Sequence, residues 1–206
     1  MRLGLIGPSA GNTVALKSRA RYLLDVLRAD RVVYLGVDGS LESVVEAWAF
    51  GLVGGDPSDE AVWARAAARC LKADSTGIDA FLKTERQRAR LRQLEALPRP
   101  DARSIELIEN LVAVLIHDKA LLDEEDILPA TLLLFGKASE PVVHRVGQRL
   151  FVSPGPVDHP RGGAALVAEE RVGVVVSVYG PSGVVTRREV AGSGKAARLM
   201  VQGASS

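Results

Sequence analysis

Cysteine is almost missing from this 206-residue chain: Cys70 stands alone, so no disulfide can form within it. Aromatic residues make up only 4%, which leaves few rings on which nucleobases could stack. An excess of either charge is lacking too. Lys and Arg total 26 against 25 Asp and Glu, a net charge of +1, so no strong field pulls the chain toward nucleic acid or an acidic membrane. No apolar run approaches the roughly 20 residues of a membrane span. The first apolar stretch, Leu3 to Ile6, is too short for a secretory leader and runs straight into Gly7-Pro8. These absences point to a soluble cytoplasmic protein that engages neither nucleic acid nor membrane. Cys70 lies in a helical stretch and reads as a buried structural thiol rather than a nucleophile.

What is present begins with a short apolar run, Leu3 to Ile6, closed by the Gly- and Pro-containing loop 7–12. Val14, Leu16, Ala20, Leu23, Leu24 and Leu27 then recur at helical spacing, with Asn12 or Thr13 as the cap. Arg31 to Leu35 is a second strand, closed by Gly36-Val37-Asp38-Gly39. Such a strand–helix–strand unit implies a parallel pair, whose ligands bind at the carboxyl ends of the strands. The middle reads as three helices, 41–50, 58–72 and 78–97, ended by Pro98 and Pro100. From Ala102 the period shortens. A hairpin spans 104–116, a short helix 121–127, and strands follow at 131–135, 142–146, 149–152, 164–168, 172–179 and 183–190. The pattern supports α/β or α+β.

Four segments, taken together, resemble the calcineurin-like metallophosphoesterases, in particular their small bacterial phosphodiesterase branch. Where that family ends its first strand in Asp-x-His-Gly-Asn, this chain has Pro8-Ser9-Ala10-Gly11-Asn12. Leu-Gly-Asp corresponds to Leu35-Gly36-Val37. Gly-His-Thr-His-x-Pro corresponds to Gly136-Lys137-Ala138-Ser139-Glu140-Pro141, and after a hairpin Asn-Pro-Gly-Ser corresponds to Ser153-Pro154-Gly155-Pro156. The resemblance covers roughly residues 1–40 and 102–170. It implies a two-sheet β-sandwich flanked by helices, in a four-layer αββα order. Residues 1–190 would form one domain, with 41–97 a divergent helical segment and 191–206 a flexible C-terminal tail.

The turn residues of the pattern survive, but most of its metal chemistry does not. The family's two ions, about 3.5–4 Å apart, present a metal-bound hydroxide to phosphorus. In the ligand positions stand Pro8, Ala10, Val37, Lys137 and Ser139. The family's Gly-Asn-His-Asp segment follows a strand, and no strand is evident here; Asp74, in Ala73-Asp74-Ser75-Thr76, is the nearest candidate. His117 matches an isolated family histidine, with Asp118 in place of the following Gly, and Asp38 sits one residue beyond the vacated Val37. His117, Asp38 and Asp74 are therefore the remaining metal candidates. One imidazole cannot hold two divalent ions, so no cofactor is expected beyond a residual single divalent metal. His144, Asp158 and His159 read as surface groups, and Lys137 as a cation that could neutralise Asp38 or another acid in the emptied cleft.

The expectation is a pseudoenzyme that binds another protein as a regulatory scaffold. Its candidate contact region is 41–97, with Trp48, Phe50 and Trp63. The alternatives are a residual or altered metal-dependent phosphoesterase using Asp38, Asp74, His117 and Lys137, and a binder of a small anion through Lys137 and the amides around Gly11-Asn12. The basic helix carrying Lys83, Arg86, Arg88, Arg90 and Arg92 reads as a solvated face.

Overall fold

The computed structural model describes residues 1–97 and 99–192. The chain opens with β1 (Arg2–Ile6), α1 (Thr13–Arg21) and a π-helical turn, Tyr22–Val26, leading to β2 (Arg31–Tyr34). The Asn12 side chain accepts the Ala15 amide at 3.0 Å and starts α1. Three helices follow: α2 (Ser40–Val53), α3 (Val62–Cys70) and α4 (Ser75–Arg90). Next come β3 (Leu94–Ala96), β4 (Ser104–Ile108), β5 (Leu111–Ile116), α5 (Glu124–Ile127) and β6 (Leu132–Phe135). β7 (Val142–Val146), β8 (Arg149–Ser153), β9 (Ala164–Glu170), β10 (Gly173–Tyr179) and β11 (Val185–Val190) complete the chain.

The strands form two mixed sheets, ordered β11-β10-β9-β1-β2-β3 and β4-β5-β6-β8-β7. Their inner faces share one core: Leu3, Leu5, Val33 and Val176 from the first sheet meet Ala113, Leu115, Leu134 and Val152 from the second. The outer face of the first sheet is covered by α1, the π-turn and α2 through Leu16, Ala20, Leu23, Leu41 and Val44. On the outer face of the second, Val114 and Leu133 pack with Leu122 and Ile127 of the β5–β6 connection. The expected α+β, four-layer order of helix, sheet, sheet and helix is therefore present. Among the described residues no helix is long and apolar enough to cross a membrane.

The expected third helix, 78–97, stops at Arg90. A 3₁₀ turn, Leu91–Gln93, redirects the chain into β3, whose Leu94 and Ala96 pair in parallel with Val32 and Tyr34. Pairing with a waiting strand edge overrides helical propensity here. The tail expected at 191–206 lies outside the described residues from 193 onward. Ala191 belongs to the core instead: it is buried, and its amide donates to Val174 O at 2.7 Å.

Candidate functional site

The loops that leave β1, β2, β5, β6 and β8 meet at one end of the sandwich, where the two sheets' carboxyl-terminal ends touch. A Cβ on Gly136 would stand 2.1 Å from Leu35 O, and one on Gly7 would stand 1.7 Å from Gly155 O. Only glycine permits backbones this close. The His117 imidazole Nδ1 lies 2.8 Å from Leu35 O, joining the loop after β5 to that after β2.

Beneath the first two loops lies a closed polar cluster. Tyr34 is fully buried, and its hydroxyl accepts the Ser9 amide at 2.9 Å while lying 2.8 Å from Asp38 Oδ1. Ser9 Oγ donates to Asp38 Oδ2 at 3.0 Å, and the Ser40 amide donates to Asp38 Oδ1 at 3.1 Å. Burial alone would push the Asp38 carboxyl up, but the bonds from Tyr34, Ser40 and Ser9 outweigh it and hold it below the ordinary carboxylate range. Burial pushes the Tyr34 phenol up.

The sequence candidates are thus spent on different partners. Asp38 faces Tyr34, Ser9 and Ser40. Asp74 caps α4 by accepting the Gly77 amide at 2.8 Å. Lys137 does not neutralise Asp38. It pairs with Asp118 at 2.5 Å, and its side chain is 65% exposed, so it is a surface ion pair rather than a buried counter-charge. The Lys137 ammonium and the Ala120 amide hold the Asp118 carboxyl below its usual range. The amides proposed for an anion are also engaged, Gly11 N with Ser9 Oγ at 3.3 Å and Asn12 N with Ser9 O at 2.9 Å. Ala10 is exposed and takes the left-handed conformation at φ 46°; Pro8 is half-buried, Val37 exposed and Ser139 exposed. His117 alone keeps an arrangement suited to a metal. In the neutral imidazole whose Nδ1–H donates to a carbonyl, Nε2 carries the lone pair. His144 and Asp158 are exposed, and His159 Nδ1 accepts the Arg161 amide at 3.2 Å. Among the described residues no three of His, Cys, Asp and Glu gather closely enough to hold an ion.

One strand that the sequence did not reveal is β3, which ends at Ala96. Its loop lies beside that of β2, and Gly36, Val37, Glu42, Leu97 and Arg99 line a hollow of about 200 Å³ there. Asp74, at the start of α4, is not in this loop.

Sequence reasoning also missed Arg19. It is 5% exposed on the buried side of α1, with no carboxylate bonded to it among the described residues. Nε and Nη2 donate to Val157 O at 3.1 Å, Nη2 to Gly162 O at 2.8 Å and Nη1 to Gly180 O at 2.8 Å. Burial draws its pKa down. The signal was there: Arg19 falls three after Leu16 and four before Leu23, on the apolar stripe.

The helical segment differs from the rest of the fold. Neither α3 nor α4 contributes a buried residue. Trp63 and Leu71 are each 82% exposed, Phe50 57%, Leu82 42% and Ile78 40%. Trp48 instead packs on the α1–α2 core beneath Lys17 and Arg21, whose cations lie 5.3 and 5.8 Å from its ring. Cys70 is half-buried rather than buried. What holds α3 on α4 is charge. Arg65 reaches Glu85 at 2.7 Å, and Arg88 bridges Glu85 and Asp59 at 2.7 and 2.9 Å. Of the basic helix, Arg88, Arg90 and Arg92 are spent on acids of this chain.

No family model matches the chain, and no curated protein matches it. Several solved structures are similar in chain path. A novel archaeal phosphodiesterase shows a TM-score of 0.46 at 11% identity, covering 86% of this chain and 99% of its own. A predicted phosphoesterase from Streptococcus pneumoniae gives 0.43 at 14%, covering 90% and 93%. Vacuolar Protein Sorting 29 from Cryptosporidium parvum gives 0.44 at 18%, covering 92% and 95%. Likeness at this level assigns no function.

Proposed function

We propose that this chain is a non-catalytic, metallophosphoesterase-like module that binds another protein through its helical segment. The observation that carries the reading is the state of α3 and α4. They bury no residue in the fold, yet they and the residue that ends α3 display Trp63, Leu71, Ile78 and Leu82, and α2 displays Phe50. Isolated helices of this length are marginal in water without tertiary packing, and exposed large apolar groups of this number mark interaction surfaces. The strand-end chemistry supports the same reading, because Asp38, Asp74 and Lys137 each serve a different local partner. Partner capture with the full chain tests it. Proteins retained by the native chain and lost on both Trp63→Ala and Phe50→Ala support the reading. An identical set on all three baits refutes the helical contact.

The second reading, a residual metal-dependent phosphoesterase, is favoured by one observation, the orientation of His117 on Leu35 O. The protein is incubated with manganese and zinc, desalted and assayed by elemental mass spectrometry. Retention below about a tenth of an equivalent leaves no platform for two-metal hydrolysis. One or two equivalents, lost on His117→Ala, establish the metal site and overturn the non-catalytic reading.

A further inference from the structure

Each sheet ends in two edge strands, and three of the four edges are guarded. β3 is three residues long, and its Glu95 is held by Arg31 at 2.6 Å. β11 exposes Arg187, Arg188 and Glu189. β7 follows Pro141 and carries His144 and Arg145. Short length, charge and proline are the usual means by which edges avoid pairing. β4 lacks them. Its five residues, Ser104-Ile105-Glu106-Leu107-Ile108, alternate strictly. Ile108 faces the core, and Glu106 turns inward to an ion pair with Arg31 of the facing sheet. Ile105 and Leu107 point the other way and are 69% and 68% exposed. Among the described residues, no hydrogen bond of the β4 backbone reaches beyond its sheet.

We propose that β4 pairs antiparallel with β4 of a second copy of this chain, fusing two five-stranded sheets into one. The sequence of the edge fits itself. With Glu106 on the two-fold axis, Ile105 stands opposite Leu107 of the other copy, twice, on the same sheet face. Directly opposed apolar and opposite-charge pairs are the stabilising units of antiparallel sheets. The two Glu106 side chains at the axis are each drawn inward to an Arg31 that Glu95 shares. A single-residue slip would turn the apolar pair to opposite faces.

The test is sedimentation equilibrium of the full chain over a wide concentration range. The expected result is a reversible monomer–dimer equilibrium. Ile105→Lys and Leu107→Glu each weaken it by at least about tenfold, because each change strikes two pairs per dimer. The double variant regains native-like dimerisation, since position 105 faces position 107. Trp63→Ala leaves the equilibrium unchanged. Both β4 positions are exposed, and unchanged circular dichroism confirms that the variants fold. A native chain monomeric at every concentration overturns the proposal and leaves this edge to a strand of a different protein. A dimer insensitive to the single changes, or dissolved by Trp63→Ala, places the contact elsewhere. Single changes that weaken the dimer without rescue by the double overturn the register.

Discussion

Arg19 ties together three parts of the chain that are distant in sequence: α1, the β8–β9 loop at Val157 and Gly162, and the turn after β10 at Gly180. Arg19→Met keeps much of the side-chain length and removes every donor. Three buried carbonyls then lose a charge-assisted partner, at about 1–3 kcal/mol each. Part of this is recovered because the variant no longer desolvates a cation. The net loss expected is about 3–5 kcal/mol, the range for removing one partner from a buried charged contact. In a chain of this size that lowers Tm by roughly 10 °C. Urea unfolding, followed by circular dichroism, should show a lower midpoint with an unchanged slope. Arg19→Lys should lose about half as much, since one ammonium cannot reach three carbonyls that a planar fork spans. A loss below about 1 kcal/mol for Arg19→Met would refute the reasoning, because it would mean that water or a shifted loop satisfies those carbonyls at little cost.

Three other outcomes follow from the same geometry. Hydrogen bonds from Arg65 hold the Glu85 carboxyl down at about 2, against an ordinary value of 4.5. A depressed acid stabilises the fold fully above its unfolded value and loses that contribution as pH falls through its folded value. Native stability should therefore drop between pH 4.5 and about 2, and Glu85→Gln should flatten that drop by no more than about 1–2 kcal/mol after screening, read from urea midpoints across the acid range. Gly7→Ala drives a Cβ onto Gly155 O and should cost about 3 kcal/mol or more, whereas Gly51→Ala, within α2 with no atom nearby, should stabilise by about 0.5–1 kcal/mol in the same thermal scans. Tyr34→Phe removes the hydroxyl shared by Ser9 and Asp38; it should cost about 1–3 kcal/mol and raise the Asp38 pKa, measured by carbon NMR of the carboxylate.

Much of the fold was legible because its signals are local. Leu3 to Ile6 is an apolar run closed by Gly7, and it is β1. The two apolar runs 104–108 and 111–116, split by Glu109-Asn110, are the β4–β5 hairpin. β3 was not legible. Three residues carry no period of their own, and Leu94 and Ala96 continue a helical pattern until Val32 and Tyr34 pair with them. The candidate site was read as positions rather than as contacts, and that is where it failed. Asp38 looked like a stray ligand, but its partners are Tyr34, one strand back, and Ser9, from another loop. Lys137 looked like a buried counter-charge, but Asp118, in the loop after β5, supplies its partner at the surface. Both outcomes depend on which loops the sheets bring together.

The same contacts bear on function. A site that keeps a metal must leave several lone pairs unspent and converging. Here Ser9, Tyr34 and Asp38 spend theirs on one another, while Gly7 and Gly136 bring the strand-end loops into van der Waals contact. The end of the sandwich where chemistry would sit is built as a joint between its two sheets. The unspent surface lies elsewhere, on α3 and α4, which turn Trp63, Ile78 and Leu82 to solvent and are tied to each other by Arg65 and Glu85. Because Arg65 and Glu85 are only 10% and 13% exposed, salt screens the pair little; Arg65→Ala, rather than raised salt, should loosen α3 while the sheets stay intact, read by amide hydrogen exchange.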